Sequence, residues 1–361
     1  MAGDQPRGPP EGAAALNGPR RIVFRADASA EIGTGHLMRC LTLADEMGRR
    51  GWRTAFACAA LPAPLADRLG AAGHPLIRLP AAAPGGSEPA AMLQPGERPL
   101  VVVDHYRLGA EWHDEARALG ATVAAIDDLA GRPLRVSLLL NQNLGAGAED
   151  YRGLVPEGCV CLIGPQYALL RPEFARLRRP PEGPRRLEHV LVFLGGGDTG
   201  GATAAAVSGA AEAGVEVDVV VGSASPSVGR VRRLAARHPR VAVHESTPEM
   251  AALMRRADLA VGAPGSASWE RCCLGVPTLT ITLADNQAAA GAALERAGAT
   301  RSLGRVGDVD AATVRDAIVS LRDRPEVLGE MARAAYGVTD GRGVIRVADE
   351  LAALAAGEGG R

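Results

Sequence analysis

The segment RIVFRADASAEIGTGHLMRCLTLADEMGRRG (21–51) contains the repeating unit of the fold. Its first seven residues form a short, mostly apolar run that ends in polar residues, which is typical of a buried strand. After a turn that contains two glycines, apolar residues recur at helical spacing: Leu37, Cys40, Leu41, Ala44 and Met47. Gly51 then ends the helix. A buried strand followed by an amphipathic helix predicts one unit of an α/β sheet.

The same alternation of apolar strands and helical stretches continues on both sides of a proline-rich segment. On the N-terminal side the strand candidates are TAFACA (54–59), LVVVD (100–104), TVAAIDD (122–128) and VSLLLNQN (136–143). On the C-terminal side they are HVLVFLGGGD (189–198), VEVDVVVG (215–222), VAVHES (241–246), DLAVGAPG (258–265) and PTLTITL (277–283). Strands that are apolar throughout and separated by helices predict parallel sheets covered on both faces.

The prolines and arginines of ARLRRPPEGPRRLE (175–188) indicate a linker between two domains. We therefore predict two doubly wound, Rossmann-like α/β domains that face a cleft: residues 21–175, a linker at 176–187, and residues 188–361 with the terminal helices. We expect the C-terminal helical region to pack back across the linker. Residues 1–20 are rich in Pro and Gly and are predicted to be a disordered leader. Such sheets bind ligands at the carboxyl ends of their strands, so the cleft is the predicted site.

The composition excludes several classes of function. Hydrophobic residues make up 47% and charged residues 22%, which is typical of a soluble globular protein. A net charge of −1 and an aromatic content of 3% argue against nucleic acid or an anionic membrane as a partner. All 40 basic residues are arginine, which removes Schiff-base chemistry and the P-loop lysine. No apolar run approaches the roughly 20 residues of a membrane span.

The six cysteines indicate reduced thiols, and no metal site or cofactor is predicted. They form no C-x-x-C pair, and no histidine lies at zinc-finger spacing from them. Cys272 and Cys273 have Arg271 as their one neighbouring cation, so they are predicted to be buried structural thiols rather than nucleophiles. Reduced thiols in a long chain predict a cytoplasmic protein. The oligomeric state is left open.

The turn IGTGH (32–36) is the first candidate for chemistry. Gly33 and Gly35 allow a close backbone approach that a Cβ would block, and the following helix start offers unpaired N–H groups. The turn lacks the third glycine of the dinucleotide-binding fingerprint. His36 lies at the helix N-terminus, where the dipole disfavours the imidazolium, and a general base requires a neutral imidazole. The alternative is a tight turn with a solvated histidine.

Polar side chains also follow the next buried strands of the first half. In VVVDHY (101–106), the Asp-His-Tyr sequence at the carboxyl end of a strand indicates a substrate contact through Tyr106. The alternative is that these residues cap the next helix. Acids and amides follow the neighbouring strands too, and for most of them a structural role in loops is favoured: Asp127, Asp128, Asn141 and Asn143.

Two glycine-rich turns in the second half, LGGGDT (194–199) and GAPGSASWE (262–270), each lead from a strand into a helix. Each can present backbone N–H groups to a phosphate. Two such turns without a lysine predict a diphosphate held mainly by backbone amides. The predicted contacts are Gly196, Gly197, Gly265 and Ser266. For Ser266 the alternative is a role as helix N-cap.

Three further polar residues in the second half are candidates for contacts with a ligand. Glu270 lies one turn into its helix, and its carboxylate is suited to accept two ribose hydroxyls. The alternative is that Glu270 pairs with Arg271 or with solvent. Asn286 and Gln287 in ADNQ (284–287) have amides suited to hydroxyl or acetamido groups.

Eight strings in this order resemble a known family: RADASAEIGTGHLMRCLTLA, VVDHY, IDDLAGR, LLLNQN, IGPQYALLRPEF, LGGGD, WERCCLG and ADNQ. The family is that of the UDP-2,4-diacetamido-2,4,6-trideoxy-β-L-altropyranose hydrolases of pseudaminic acid biosynthesis. The resemblance runs from about Arg21 to beyond Gln287. It implies a GT-B glycosyltransferase-like fold whose N-terminal half holds the sugar and whose C-terminal half holds UDP. It also implies hydrolysis of the nucleotide-sugar by C1–O cleavage with inversion.

The resemblance implies roles for individual residues. His36 matches the base of the family, Tyr106 and Asn286 match residues that line the sugar site, and Glu270 matches the ribose-binding position of related transferases. The implied partner is a small-molecule UDP-sugar, without nucleic acid or membrane. Two alternatives stay open: a UDP-sugar-dependent glycosyltransferase of the same fold, and a non-catalytic nucleotide-sugar sensor.

Overall fold

Two parallel β-sheets, each flanked by helices, form the core of the protein. The computed structural model describes residues 20–29, 33–80, 87–195, 201–222 and 225–357. All strand pairs within both sheets run parallel. The prediction of two doubly wound α/β units is confirmed by this arrangement.

Within the described residues, the first sheet has seven strands. They are β1 (Arg21–Ala26), β2 (Arg53–Cys58), β3 (Leu76–Arg78), β4 (Leu100–Asp104), β5 (Thr122–Ile126), β6 (Leu138–Asn141) and β7 (Val160–Ile163). They pair in the order β3-β2-β1-β4-β5-β6-β7. The helices of this half are α1 (Gly35–Arg49), α2 (Ala63–Ala71), α3 (Glu88–Met92), α4 (Ala110–Ala118) and α5 (Pro172–Leu177).

The second sheet, over the same described ranges, has six strands. They are β8 (His189–Phe193), β9 (Glu216–Val221), β10 (Val241–Glu245), β11 (Leu259–Gly262), β12 (Thr278–Thr282) and β13 (Thr300–Arg305). They pair in the order β10-β9-β8-β11-β12-β13. The helices that follow along the chain are α6 (Ala202–Glu212), α7 (Val228–Ala235), α8 (Met250–Arg256), α9 (Ala267–Cys273), α10 (Ala288–Arg296), α11 (Ala311–Arg322), α12 (Pro325–Val338) and α13 (Gly343–Ala356).

Each sheet has one point where the order of strands reverses, between β1 and β4 in the first sheet and between β8 and β11 in the second. Parallel sheets bind ligands just beyond the strand ends at such a point. The central strands are apolar because both of their faces are covered: Ile22, Val23 and Phe24 of β1 are fully buried. Phe24 also stacks on Phe56 of β2, with ring centroids 5.2 Å apart.

The sequence pattern does not predict three of the strands, β3, β7 and β13. All three lie at the edge of a sheet. β3 has three residues, and β13 reads TRSLGR within a region that the sequence pattern predicts to be mostly helical. β3 and β7 (VCLI) have only three and four residues, so their apolar runs are too short to indicate a strand, whereas β13 lacks an apolar run.

The C-terminal helix α13 packs against the first sheet rather than the second. Val344, Val347 and Leu351 are each 1% exposed and belong to the core formed by β1 and α1. Arg50 at the end of α1 donates a hydrogen bond to Asp349 at 2.7 Å. The chain therefore passes from the first half to the second at residues 178–188 and returns to the first half before α13. In packing terms, the last helix is part of the N-terminal unit.

The segment between α5 and β8, residues 178–188, contains no helix or strand. Arg178 attaches it to the second half, because its guanidinium donates to the carbonyl oxygens of Cys273 at 2.6 Å and Tyr336 at 2.7 Å. The same guanidinium lies 3.3 Å from the centroid of the Tyr336 ring. The linker and domain boundaries at 176–187 stay predictions.

The cysteines are free thiols. Burial raises the pKa of Cys272 to about 12 and that of Cys273 to about 11. Both thiols are therefore protonated at neutral pH, as expected of structural cysteines. Among the helices of the described ranges, none has the length and apolarity needed to cross a membrane.

We predict that Gly343→Ala destabilises the protein strongly, because an added Cβ overlaps the backbone of Tyr167 and Ala168 where α13 meets the first unit. Overpacking against backbone typically lowers the free energy of unfolding by about 1–3 kcal/mol. Gly337→Ala in α12 is the matched control, because a Cβ there has no atom within 4 Å. It is expected to be neutral or to stabilise by up to ~1 kcal/mol. Urea unfolding followed by circular dichroism checks this, and equal stabilities of the two variants would contradict the packing of α13.

Candidate active site

The turn before α1 brings the N-terminal half close to the second half. Gly33 has a φ of +79°, a left-handed conformation that favours glycine, and its N–H donates to the carbonyl oxygen of Ser29 at 2.9 Å. A Cβ on Gly35 would lie 3.3 Å from Oγ of Ser266, which precedes α9 in the second half. Gly35 and Ser266, which belong to the two predicted glycine-containing turns, therefore meet across the cleft.

A buried ion pair at the end of β4 fixes the position of α1. Asp104 is fully buried, and Arg39 donates to both of its carboxylate oxygens at 2.6 Å. Burial alone would raise the pKa of Asp104, but the guanidinium of Arg39 and the nearby His36 lower it below its ordinary value. Asp104 is therefore ionised at neutral pH.

The ring of His36 is oriented by the same carboxylate. Its Nδ1 lies 3.2 Å from Oδ1 of Asp104 and 3.3 Å from the backbone carbonyl oxygen of that residue. Because both neighbours are acceptors, Nδ1 carries the proton and Nε2 presents its lone pair. The ring of Tyr106 packs edge-on against the imidazole, with centroids 4.7 Å apart. A histidine held by a buried carboxylate is the arrangement of a general base with its orienting acid.

Tyr106 connects the two halves of the chain. Its hydroxyl lies near the side chains of Asp128 in the first half and Asn286 in the second, and both influence its pKa. Burial, followed by the negative charge of Asp128, raises the pKa of Tyr106 above its ordinary value. The hydroxyl is therefore protonated. The structure thus brings together Tyr106, Asn286 and His36, three of the predicted site residues.

A narrow cavity of about 50 Å³ lies between the two halves. Residues from both sides line it, among them Gly35, Arg39, Gln142, Arg171, Ser266 and Glu270. This volume holds a few water molecules. The cleft is therefore closed at this point.

Glu270 lines the cavity, and its carboxylate lacks a hydrogen-bond donor among the described side chains. It is partly buried, and no side chain in the described ranges donates a hydrogen bond to its carboxylate. Burial raises the pKa of Glu270 to about 7, and the positive charges of Arg171 and Arg271 offset this only in part. Pairing with Arg271, the alternative from the sequence, is not seen, because that guanidinium bonds the carbonyl of Ala263 and the hydroxyl of Ser268.

The structure also gives the contacts of three other predicted site residues: Ser266, Gly265 and Gln287. Ser266 occupies the N-cap position of α9, but its side chain makes no capping hydrogen bond. A Cβ on Gly265 would lie 3.8 Å from Nε2 of Gln287. Oε1 of Gln287 accepts a hydrogen bond from the N–H of Leu283 at 3.0 Å, which leaves the Nε2 donor for other partners. Gly196 and Gly197 lie outside the described residues.

The structure gives the acids and amides beyond β5 and β6 mostly structural contacts. Asp127 accepts hydrogen bonds from the backbone N–H of Ala130 at 2.9 Å and from Arg132 at 2.6 Å. Asn141 donates to the hydroxyl of Tyr151 and accepts from the backbone N–H of Asn143. Asp128 differs from them: its Oδ1 is buried and makes no hydrogen bond with any described group.

Sequence reasoning missed two arginines at the site, Arg39 and Arg271. Arg39 lies three residues after His36 and therefore on the same face of α1, a spacing that identifies it as a neighbour of the histidine. Its partner Asp104 is 65 residues away in the chain, and no local pattern indicates that pair. The sequence indicates Arg271 only as a neighbour of the cysteines and as an alternative partner of Glu270.

The two Rossmann-like units with a cleft between them define the GT-B architecture. MurG of Acinetobacter baumannii superimposes with a TM-score of 0.61 at 17% identity, covering 92% of this chain and 99% of that protein. CalG4, the calicheamicin glycosyltransferase, superimposes with a TM-score of 0.60 at 19% identity, covering 94% of this chain and 98% of that protein. The predicted GT-B-like fold is confirmed.

Comparison of amino-acid sequences, rather than of folds, gives the following similar proteins. The chain is similar to the UDP-2,4-diacetamido-2,4,6-trideoxy-β-L-altropyranose hydrolase of Campylobacter jejuni, with 26% identity over 242 residues, 66% of this chain and 82% of that protein. It is also similar to the spore coat polysaccharide biosynthesis protein SpsG of Bacillus subtilis, with 30% identity over 188 residues, 51% of this chain and 56% of that protein. No family model matches the chain. The resemblance carried by the eight strings is confirmed.

We predict that Glu270 makes the stability of the protein fall as pH rises. Its pKa is about 7 in the folded protein against an ordinary 4.5, so the folded state binds the proton more tightly than the unfolded state. Its contribution to stability is therefore full below about pH 4.5, and it is lost as pH rises through about 7. Glu270→Gln removes this dependence.

The free energy of unfolding of Glu270→Gln, relative to the wild type, is expected to increase by roughly 1–3 kcal/mol between pH 5 and pH 8. Urea unfolding at several pH values measures this difference. Glu330→Gln, at an exposed position of α12, is the control and is expected to show no such trend. A difference for Glu270→Gln that does not change with pH would contradict the raised pKa.

Proposed function

We propose that this chain is an enzyme that hydrolyses UDP-2,4-diacetamido-2,4,6-trideoxy-β-L-altropyranose to UDP and the free sugar, a step of pseudaminic acid biosynthesis. The observation that supports it most is the imidazole of His36, held through Nδ1 by buried Asp104 at a cleft whose opposite wall contains Ser266 and Glu270. The similarity to the C. jejuni hydrolase supports the choice of substrate.

In the proposed reaction, Nε2 of His36 takes a proton from a water molecule as the water oxygen bonds to C1 of the sugar. The bond between C1 and the β-phosphate oxygen breaks, and its electron pair leaves with UDP. Asp104 accepts the hydrogen bond of Nδ1–H and stabilises the imidazolium that forms. Because water attacks the face of C1 opposite UDP, the configuration at C1 inverts.

The second half is proposed to bind UDP. Glu270 has free acceptor oxygens for the ribose hydroxyls, since no described side chain donates to it. The backbone N–H groups near Gly265 and Ser266 are proposed to contact the diphosphate. Gly196 and Gly197 keep the same proposed role, on the grounds of sequence alone.

The sugar is proposed to lie between Tyr106 and Asn286. These two side chains approach each other across the cleft, so a ligand that lies between them can form hydrogen bonds with both. The unpaired Oδ1 of Asp128 beside them is suited to accept an N–H of an acetamido group. The Nε2 donor of Gln287 is suited to a carbonyl or hydroxyl oxygen.

A UDP-sugar-dependent glycosyltransferase is the second candidate, favoured by the likeness of the fold to CalG4. It differs from a hydrolase in the acceptor, a sugar or lipid hydroxyl instead of water. A hydrolase releases UDP from the nucleotide-sugar in buffer alone, whereas a transferase needs an added acceptor. A non-catalytic sensor binds the nucleotide-sugar and releases no UDP. The free sugar as first product, with inverted configuration in proton NMR, identifies the hydrolase.

We predict that His36→Asn lowers kcat by about 10²–10⁴-fold, which is the usual contribution of a positioned general base. UDP affinity is expected to stay within about twofold, since the proposed UDP contacts lie in the other half of the chain. Coupled detection of released UDP measures kcat, and titration calorimetry measures UDP binding.

His238→Asn is the matched control, because the ring of His238 has no hydrogen-bond partner among the described residues and lies in the second half. It should retain full turnover. Near-normal turnover by His36→Asn with the correct substrate would exclude the proposed base. A parallel loss of UDP affinity would indicate a structural rather than a chemical role.

A further inference from the structure

Arg271 is a fully buried arginine at the point where the strand order of the second sheet reverses. It is 1% exposed, and its Nη1 lies 2.6 Å from the position of a Cβ on Gly262, the last residue of β11. The same Cβ position is 2.9 Å from the carbonyl oxygen of Phe193, the last residue of β8. The guanidinium therefore lies where β8 and β11 end, beneath the starts of both glycine-rich turns.

Arg271 forms no ion pair with any residue that the structure describes, although the charge of Glu270 acts on it. Its Nη2 donates to the carbonyl of Ala263 at 2.7 Å and to Oγ of Ser268 at 3.0 Å. Its Nε and Nη1 are buried, and no acceptor in the described parts of the chain receives a hydrogen bond from them.

Two other buried arginines, unlike Arg271, form ion pairs with carboxylates. Arg25 pairs with Asp27 and Glu88, and Arg39 pairs with Asp104. Burying a charge without a counter-charge is unfavourable, so proteins normally retain such a group for a reason other than stability. Burial lowers the pKa of Arg271 to about 10, so the group is still charged at neutral pH.

We infer that Arg271 is the cation that balances the diphosphate of bound UDP and the negative charge that develops on UDP as it leaves. This rests on the proposed function. Anionic ligands of parallel sheets bind beyond the strand ends at the point of reversal, directly above this guanidinium. In this inference Arg271 lies below the turn that begins at Gly262. Its charge attracts the diphosphate, and its hydrogen bond fixes the carbonyl of Ala263. It is thus a positioning residue and does not touch the reacting atoms.

This inference adds a buried cation to the diphosphate site that the sequence predicts to consist mainly of backbone amides. No arginine lies within the sequence of either glycine-rich turn, yet α9 places one at the ends of β8 and β11, which lead into these turns. Gly262 makes the approach possible, because any side chain at that position would displace the guanidinium. Preorganised charge in a site closed to water is stronger than the same charge in solvent.

The test compares binding of uridine, UMP and UDP by calorimetry in the full chain. Arg271→Met removes the charge and both hydrogen bonds, whereas Arg271→Gln retains a donor for Ala263. Both variants are expected to weaken UDP binding by about 10–100-fold and UMP binding by less, with uridine binding within about twofold of wild type. Arg271→Lys is expected to restore most of the UDP affinity.

Urea unfolding adds a readout that separates function from structure. Replacing an unpaired buried charge by an apolar side chain is expected to leave stability unchanged or to raise it. Arg178→Met is the matched control, since Arg178 also donates to two carbonyls of the second half but lies outside the proposed UDP site. It should not change the preference for UDP over uridine.

Equal weakening of all three ligands, or an unchanged preference for UDP in Arg271→Met and Arg271→Gln, would overturn the inference. If Arg271→Met does not fold, the inference is judged from Arg271→Gln alone, by its preference for UDP over uridine. If neither folds, the guanidinium is needed for the structure itself, and the inference is overturned. Wild-type protein that binds no UDP at all would instead contradict the proposed function.

Discussion

The buried carboxylate of Asp104 is the group on which the rest of the site depends. It ends β4 at the point where the first sheet reverses its order, and Arg39 binds both of its oxygens. Removing one partner of such a pair typically costs about 3–5 kcal/mol, because the other charge is left buried and alone. The pair therefore fixes α1 against the sheet. That position in turn fixes the ring of His36 and places Gly35 against Ser266.

The two halves of the cleft differ in how their charges are balanced. In the N-terminal half the buried charges of Arg39 and Asp104 satisfy each other, which gives a rigid support for the imidazole. In the C-terminal half Arg271 has no counter-ion among the described residues, and burial raises the pKa of Glu270 to about 7. Both features reduce the stability of the free protein, and in the proposed function the diphosphate and ribose hydroxyls of UDP supply the missing partners. Strain of this kind is expected at functional sites rather than in a structural core.

The fold could be predicted from the sequence because the central strands are apolar throughout and alternate with helices. The edge strands β3, β7 and β13 could not, since β3 and β7 have only three and four residues and β13 is mostly polar. His36, Tyr106 and Asn286 were predicted from glycine turns, strand ends and a family resemblance, and the structure brings them together. The partner of Arg39 and the surroundings of Arg271 depend on contacts between distant parts of the chain, which local patterns do not contain. The packing of α13 on the first unit depends on such contacts as well, through the fit of Gly343 against Ala168.

Hydrolysis of the nucleotide-sugar in ¹⁸O-labelled water tests the central claim most directly. Attack of water on C1 leaves the β-phosphate oxygens untouched, and these oxygens do not exchange with water afterwards. Mass spectrometry of the released UDP is therefore expected to show no ¹⁸O. UDP that contains one ¹⁸O atom would show that water attacks phosphorus, and that result would contradict a base at His36 directed at the sugar carbon.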